Sequence, residues 1–102
     1  MINILVTGSN GQLGTEIRRY SADYPGYHFT FVDIEDADLT NADDIRRLFQ
    51  ATDYQFCINC AAYTAVDQAE TDSENAFLLN GTGAENVAKL AKKINAKLIH
   101  FS

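Results

Sequence analysis

Short apolar runs alternate along this chain with segments of helical periodicity. Four runs rich in β-branched and aromatic residues predict strands: INILVTG (2–8), YHFTFVD (27–33), YQFCINCAA (54–62) and AKLIHFS (96–102). Between them, apolar residues recur three and four positions apart, which predicts three amphipathic helices. Strands separated by helices cannot form hairpins. The order β-α-β-α-β-α-β therefore predicts a doubly wound parallel sheet of the α/β class, Rossmann-like, with right-handed crossovers.

Local signals place the ends of the three helices. The first is predicted from Gly11 to about Tyr24, before a Pro-Gly pair. The second is predicted to begin after an N-cap at Thr40. The third is predicted to extend from the capping box TDSE (71–74) to about Lys93. The expected strand order is 3-2-1-4, with a ligand crevice at the carboxyl ends of the strands where the winding reverses.

The stretch VTGSNGQLG (6–14) joins the first strand to the first helix and carries three glycines. Gly8 suits the tight turn, because glycine adopts unusual dihedral angles at least cost. Gly11 would leave backbone amides uncovered for a phosphate at the helix N-terminus. Gly14, one helical turn later, would allow close helix–sheet packing. The spacing is G-x-x-G-x-x-G, which differs from the usual dinucleotide fingerprint, and the glycines alone are a weak signal.

Asp33 ends the second strand, 19 residues after Gly14. That position suits the acid that binds a ribose 2′-hydroxyl in dinucleotide sites. The alternative is a turn residue or helix cap, and the specific spacing favours the ribose role. An acid there also disfavours a 2′-phosphate, which favours NAD over NADP.

The segment after the third strand should border the same crevice. Ala61 and Ala62 are small where a cofactor would pass, and Tyr63 carries a hydroxyl at the rim. A surface loop with an uninvolved tyrosine is an equally good interpretation. Asn80 is a polar residue in an apolar helical stripe. A hydrogen bond to a neighbouring backbone group would explain it, and the interpretation we favour is a brace for the strand ends near the ligand.

Composition narrows the classes of function. The chain has 102 residues, 46% of them apolar, and a net charge of −6, which predicts one small domain and argues against nucleic-acid or anionic-membrane partners. No apolar run approaches the ~18 residues of a membrane span. Cys57 and Cys60 form a C-x-x-C that could be a redox pair, but such pairs usually lie at a helix N-terminus. Here they lie in a predicted strand, where positions three apart point to opposite faces, which favours two small buried residues. Two cysteines alone also cannot complete a four-ligand zinc site. A reducing, cytoplasmic compartment is expected, and no metal ligands are assigned.

Four segments together, ILVTGSNGQLG, DLTN, CINCAAYTAVDQAE and AKLIHFS, resemble the extended short-chain dehydrogenase/reductases. Within that superfamily they resemble most closely the reductases of dTDP-linked 4-keto sugars. The resemblance implies an NADH or NADPH cofactor, with Gly11, Gln12 and Leu13 on its pyrophosphate. It also implies Asp33 on the adenosine ribose. The adenine would contact Asp38 and Leu39, and the nicotinamide side would contact residues 61–63. The implied cofactor-binding positions are Gly8, Asn10, Gly11, Gln12, Leu13, Gly14, Asp33, Ile34, Asp38, Leu39, Ala61, Ala62 and Tyr63.

The chain departs from the family pattern in its catalytic residues. The family uses a Thr or Ser after the fourth strand and a Tyr-x-x-x-Lys pair, whose tyrosine protonates the sugar C4 oxygen. No tyrosine here has a lysine four residues on, and the chain ends at Ser102, one position before the catalytic Thr of the family pattern. We therefore expect residues 1–102 to form a truncated N-terminal dinucleotide-binding domain, inactive alone and without a substrate domain. The fourth strand would then be an exposed edge that favours self-association.

Three alternatives stay open from the sequence. The first is a sugar-nucleotide epimerase or dehydratase of the same superfamily, which would share the glycine turn. The second is a non-catalytic regulatory subunit of the same fold. The third is a flavodoxin-like module that binds FMN, which the glycine spacing and Asp33 disfavour.

Overall fold

The computed structural model describes residues 1–33, 36–60 and 79–100. Strands and helices alternate in this part of the chain: β1 Ile2–Thr7, α1 Gln12–Ser21, β2 Tyr27–Val32, α2 Ala42–Ala51, β3 Phe56–Asn59, a π-helix Leu79–Gly83, α3 Ala84–Lys93 and β4 Lys97–His100. Every pair of neighbouring strands is parallel, which confirms the predicted α/β class. The predicted start of the third helix, at residues 71–74, lies outside the described residues.

The strands lie in the order β2-β1-β3-β4, so the predicted order 3-2-1-4 is wrong. β3 pairs with β1 instead of extending the sheet beyond β2. The burial of the two strands gives the physical reason. On one face of β3, Cys57 and Asn59 are almost completely buried, and on the other face Phe56 and Ile58 are partly buried. Tyr27 and His28 at the start of β2 are both exposed. A strand covered on both faces belongs inside the sheet, and the more polar β2 belongs at its edge.

This order makes the winding reverse at β1. The chain moves from β1 to β2 in one direction and then crosses back over β1 to reach β3. Because parallel crossovers are right-handed, helices before and after the reversal lie on opposite faces of the sheet. Arg18 of α1 stacks on Phe31 on one face, with its guanidinium carbon 4.5 Å from the ring centroid.

The main core lies on the other face, where α2 and α3 pack against the sheet. Leu5 of β1 and Cys57 of β3 are register partners and are both completely buried. They belong to one apolar cluster of buried residues: Leu5, Val32, Leu39, Ile45, Phe49, Tyr54, Cys57, Val87 and Ala91. Within it, the rings of Phe49 and Tyr54 meet edge to face at 6.0 Å, a favourable aromatic geometry. The core thus fixes three of the strands that carry the crevice.

Helix α2 begins one residue later than the predicted cap. Asn41 is the N-cap, and its side-chain oxygen accepts hydrogen bonds from the amides of Asp43 (3.0 Å) and Asp44 (3.1 Å). Thr40 is wrong as the cap because the first helical hydrogen bond is the one from the Ile45 amide to the Asn41 carbonyl (3.2 Å). The Thr40 hydroxyl lies instead against the Asp38 carboxylate, to which it donates at 2.7 Å.

The two cysteines are both buried, as the sequence predicted. Cys57 lies within β3, whereas Cys60 lies directly after it and not in the strand. Burial raises the pKa of Cys57 to about 12 and that of Cys60 to about 11, and the second thiol adds to the shift at Cys57. Such thiols stay protonated near neutral pH, so they pack as small apolar side chains.

Among the described residues, none of the helices has both the length and the apolar character needed to cross a membrane.

Candidate nucleotide-binding site

The glycine loop lies at the carboxyl end of β1, where the winding reverses. Gly8 follows the strand directly and has φ 66°, the left-handed conformation that glycine adopts without a steric penalty. The next amide, that of Ser9, donates to the carbonyl of Val32 at the end of β2 (3.1 Å). The loop therefore turns across the end of the sheet at the place where doubly wound folds bind ligands.

Gly11 is the N-cap of α1 and leaves the helix terminus without a side-chain cap. Its φ of −74° and ψ of 179° are extended angles that other residues adopt as well, so the local backbone does not require glycine. The first turn of α1 contains no acidic residue, whereas the first turn of α2 contains Asp43 and Asp44. The positive end of the α1 dipole is therefore not neutralised by a carboxylate within that turn.

Gly14 permits the close packing that the sequence predicted, although its neighbour is the loop itself. A Cβ at this position would lie 2.5 Å from both Cα and O of Ser9, and 2.7 Å from its carbonyl carbon. No side chain fits between these two backbones. The third glycine therefore fixes how closely α1 approaches the loop.

Asp33 lies beside the loop at the end of β2 and is half-buried. Its Oδ2 accepts a hydrogen bond from the amide of Asn10 at 2.7 Å. Its own amide donates to Oδ2 of Asp36 at 2.9 Å. Asp33, the residue predicted to bind the ribose, thus lies beside the glycine loop at one end of the sheet.

The side chains of the two predicted adenine contacts are already engaged with the protein. The Asp38 carboxylate accepts from the amide (2.9 Å) and the hydroxyl (2.7 Å) of Thr40. The Leu39 side chain is buried in the core, and its carbonyl accepts from Nδ2 of Asn86 in α3 at 2.9 Å. These contacts give the segment after β2 a fixed shape near the crevice.

The side chains at the start of α1 differ in their surroundings. Gln12 is exposed, and Leu13 lines an apolar groove of about 320 Å³ between α1 and β2 together with Ile17, Tyr20 and Phe29. A phosphate bound by this turn would therefore meet backbone amides, with the Leu13 side chain directed into the groove.

Two polar residues below the loop were not selected from the sequence. Thr7 and Asn59 end β1 and β3, are register partners and are almost completely buried. The Thr7 hydroxyl donates to Oδ1 of Asn59 at 2.8 Å, and the Cys60 amide donates to the Thr7 carbonyl at 2.9 Å. The bonds join the two strand ends on either side of the reversal. In the sequence, each of these two residues is recognisable only as a polar residue at the end of an apolar run.

Several predicted positions cannot be placed. Ile34, Ala61, Ala62 and Tyr63 lie outside the described residues, and so does the side chain of Asn80. The part of the site that the structure describes is the glycine loop, the start of α1 and the end of β2.

The fold and this end of the sheet define a doubly wound parallel α/β domain with a candidate ligand site where the winding reverses. The chain belongs to the family described as "RmlD substrate binding domain", whose model matches residues 2–102. The strand order alone did not decide between Rossmann-like and flavodoxin-like domains, because 2-1-3-4 also begins the flavodoxin-like order. The family match and the structural relatives favour the first.

Relatives of known structure and sequence agree with this placement. The dTDP-4-dehydrorhamnose reductase of Aggregatibacter actinomycetemcomitans is 33% identical over 102 residues, which cover 100% of this chain and 35% of that protein. The crystal structure of a dTDP-4-dehydrorhamnose reductase from Clostridium acetobutylicum has a TM-score of 0.81 and 35% identity, covering 95% of this chain and 34% of the other. The enzyme from Bacillus anthracis, solved in complex with NADP, has a TM-score of 0.80 and 34% identity, covering 96% and 35% of the two chains.

These findings confirm the resemblance to reductases of dTDP-linked 4-keto sugars. The chain spans about a third of the length of the relatives it matches.

Proposed function

We propose that this chain is the nicotinamide-dinucleotide-binding part of a dTDP-4-dehydrorhamnose reductase, an oxidoreductase of the extended short-chain dehydrogenase/reductase type. The observation that carries the proposal is the N-terminus of α1, which has no side-chain cap or first-turn acid and lies behind the glycine loop where the winding reverses. Helix N-termini of this kind bind phosphate through their amides and dipole. The family and its relatives supply the class of cofactor.

The residues fit such a cofactor. The amides of Gly11, Gln12 and Leu13 would hold the pyrophosphate, with Gly8 and Gly14 shaping the turn and Asn10 on the loop. Asp33 would bind the hydroxyls of the adenosine ribose. Ile34, Asp38 and the backbone of Leu39 would border the adenine, since the Leu39 side chain is buried in the core. Ala61, Ala62 and Tyr63 would border the nicotinamide. When bound, the cofactor supplies the hydride that reduces the 4-keto group of the dTDP-sugar.

NADH is the preferred cofactor in this proposal. The Asp33 carboxylate would lie near the 2′ position of the adenosine ribose, and the Asp36 carboxylate bonds to the Asp33 amide. Two negative groups there would repel the 2′-phosphate of NADPH. The NADP complex of the Bacillus anthracis relative shows that the fold can accept the phosphorylated form, so the preference in this chain rests on these two acids.

Calorimetric titration with NADH, NADPH and ADP-ribose tests the proposal. We expect weak binding in which ADP-ribose is nearly as good a ligand as NADH, because the chain contains no Tyr-x-x-x-Lys pair, whose lysine holds the nicotinamide ribose in the family pattern. NADPH should bind more weakly than NADH. Each contact that is absent on the nicotinamide side should cost roughly ten- to hundredfold in affinity. If neither NADH nor ADP-ribose binds at millimolar concentration, the proposal fails.

Reduction of a sugar is not assigned to these 102 residues alone. None of the residues is proposed as catalytic, since the chain contains no Tyr-x-x-x-Lys pair. General acid catalysis contributes ~10²–10⁴-fold, and hydride transfer needs the sugar held beside the nicotinamide. Incubation with the dTDP-4-keto sugar and NADH should therefore show no loss of NADH absorbance above background. Turnover would mean that the chain carries an acid that we have not recognised.

The reducing cytoplasm is proposed as the compartment, because Cys57 and Cys60 are both buried as thiols.

A further inference from the structure

The loop between β1 and α1 is held from two sides. On the side of β2, the Ser9 amide donates to the Val32 carbonyl at 3.1 Å, and the Asn10 amide donates to Oδ2 of Asp33 at 2.7 Å. On the side of α1, Gly14 packs directly against the Ser9 backbone. Two consecutive loop amides are thus bonded to the end of β2, one through a carbonyl and one through a charged side chain.

The residue that makes the second bond has its own backbone groups hydrogen-bonded. The Asp33 amide donates to Oδ2 of Asp36 at 2.9 Å, and the Asp33 carbonyl accepts from the amides of Asp36 (2.9 Å) and Ala37 (3.0 Å). Hydrogen bonds to an ionised acceptor are shorter and stronger than neutral ones. Asp33 is therefore built to hold the loop before any ligand arrives.

We propose that Asp33 is a positioning residue for the glycine loop, in addition to its contact with the ribose. The inference rests on the proposed cofactor site for its effect on affinity, but the hydrogen bond to Asn10 exists without a ligand. The two roles differ in what they require. Holding the loop requires an acceptor oxygen at residue 33, whereas the ribose contact requires hydroxyl groups on the ligand.

A ligand without ribose hydroxyls separates the two roles. In 2′,3′-dideoxyadenosine 5′-diphosphate, the diphosphate can still bind the loop, but the sugar offers Asp33 no hydroxyl donor. If Asp33 acted on the ribose alone, Asp33→Ala would leave this ligand unaffected or strengthen its binding, because a negative charge near the diphosphate is removed. If Asp33 positions the loop, the same substitution weakens binding.

The affinity experiment compares Asp33→Ala, Asp33→Asn and the control Asp23→Ala by calorimetry with ADP and with the dideoxy ligand. We expect Asp33→Ala to weaken the dideoxy ligand by about tenfold. Asp33→Asn keeps an acceptor oxygen and should bind that ligand within about threefold of wild type. Asp23→Ala removes the same charge from an exposed site beyond the other end of α1 and should change nothing. Wild-type affinity in Asp33→Ala, or equal losses in the Ala and Asn variants, would overturn the proposal.

A second measurement tests the loop without any ligand. Exchange of the Asn10 amide hydrogen, followed by NMR, should be slow in wild type and in Asp33→Asn and at least about tenfold faster in Asp33→Ala. Equal exchange in all three proteins would reject the positioning role even if cofactor binds. If wild type binds neither ADP nor NADH, the proposed function fails, while the exchange rates still decide whether Asp33 holds the loop.

Discussion

The backbone at Gly11 is extended, so its dihedral angles do not require glycine. The missing side chain instead leaves open space in front of the N-terminus of α1. We expect Gly11→Val to fold, with a loss of about 1 kcal/mol because valine is a poor N-cap. Its branched side chain should cover the amides that face the pyrophosphate and weaken ADP-ribose binding by about tenfold or more. Thermal unfolding and calorimetry on the same samples separate the two effects.

The matched control is Gly26→Val. Gly26 lies in the turn before β2, and a Cβ there would meet no atom within 4 Å. It should keep both stability and ligand affinity. A folded Gly11→Val protein with wild-type affinity would show that Gly11 does not face a phosphate.

Gly14 has the opposite character, because its constraint comes from packing within the protein. Gly14→Ala would place a methyl group 2.5 Å from the Ser9 backbone, so α1 or the loop must shift. We expect a loss of about 1–3 kcal/mol in the free energy of unfolding, the usual range for overpacking. Urea unfolding measures it, with Gly26→Ala as the control that should lose nothing. A Gly14→Ala protein as stable as wild type would mean that α1 is less closely docked than the structure shows.

At the scale of elements, the N-terminus of α2 gives a direct comparison between sequence and structure. Asn41→Ala removes the acceptor for two amides and should cost about 1 kcal/mol in urea unfolding. Asn41→Asp keeps an acceptor and should retain most of that stability. Equal losses in the two variants would mean that the amides are satisfied in some other way.

The sequence predicted the four strands, the described extents of the helices within a few residues and the place of the glycine loop. These signals are local: apolar periodicity, caps and turn residues act over a few positions. The cap was misplaced because Thr40 and Asn41 are both good N-caps, and only the start of the helical hydrogen bonds, at the Asn41 carbonyl, separates them. Asn95 could also have indicated the C-terminus of α3 from the sequence, because asparagine favours the left-handed conformation that often ends a helix. In the structure its φ is 64°.

Strand order could not be predicted in the same way. Both 3-2-1-4 and 2-1-3-4 use right-handed βαβ crossovers of similar length, so local patterns do not distinguish them. The difference lies in which strand is covered on both faces, and that depends on packing between distant segments. The Thr7–Asn59 bond was missed for the same reason, because its partners are 52 residues apart.

At the scale of the whole molecule, β4 lies at one edge of the sheet formed by the described strands. Ile99 is 45% exposed there, and unpaired strand edges favour pairing with another chain. We expect a dimer or larger species at high concentration, despite the net charge of −6. Light scattering over a concentration series should show that Ile99→Lys shifts the protein to monomer.

Ile2→Lys is the matched control for this surface, because Ile2 is 37% exposed but lies on β1, inside the sheet. It should leave self-association unchanged. A monomer at every concentration, or an oligomer that persists unchanged in Ile99→Lys, would reject association through β4.

We propose that a nicotinamide dinucleotide binds at the reversal of the winding, on the glycine loop. A map of amide NMR shifts during titration with NADH tests this most directly, because it reports binding and location together. We expect the amide shifts of residues 8–14 and of Asp33 to change most. Residues 53–55 and Asn95, which border the amino ends of β3 and β4, should stay in place. Shifts centred on residues 53–55 and 95, or no shift at millimolar NADH, would contradict it.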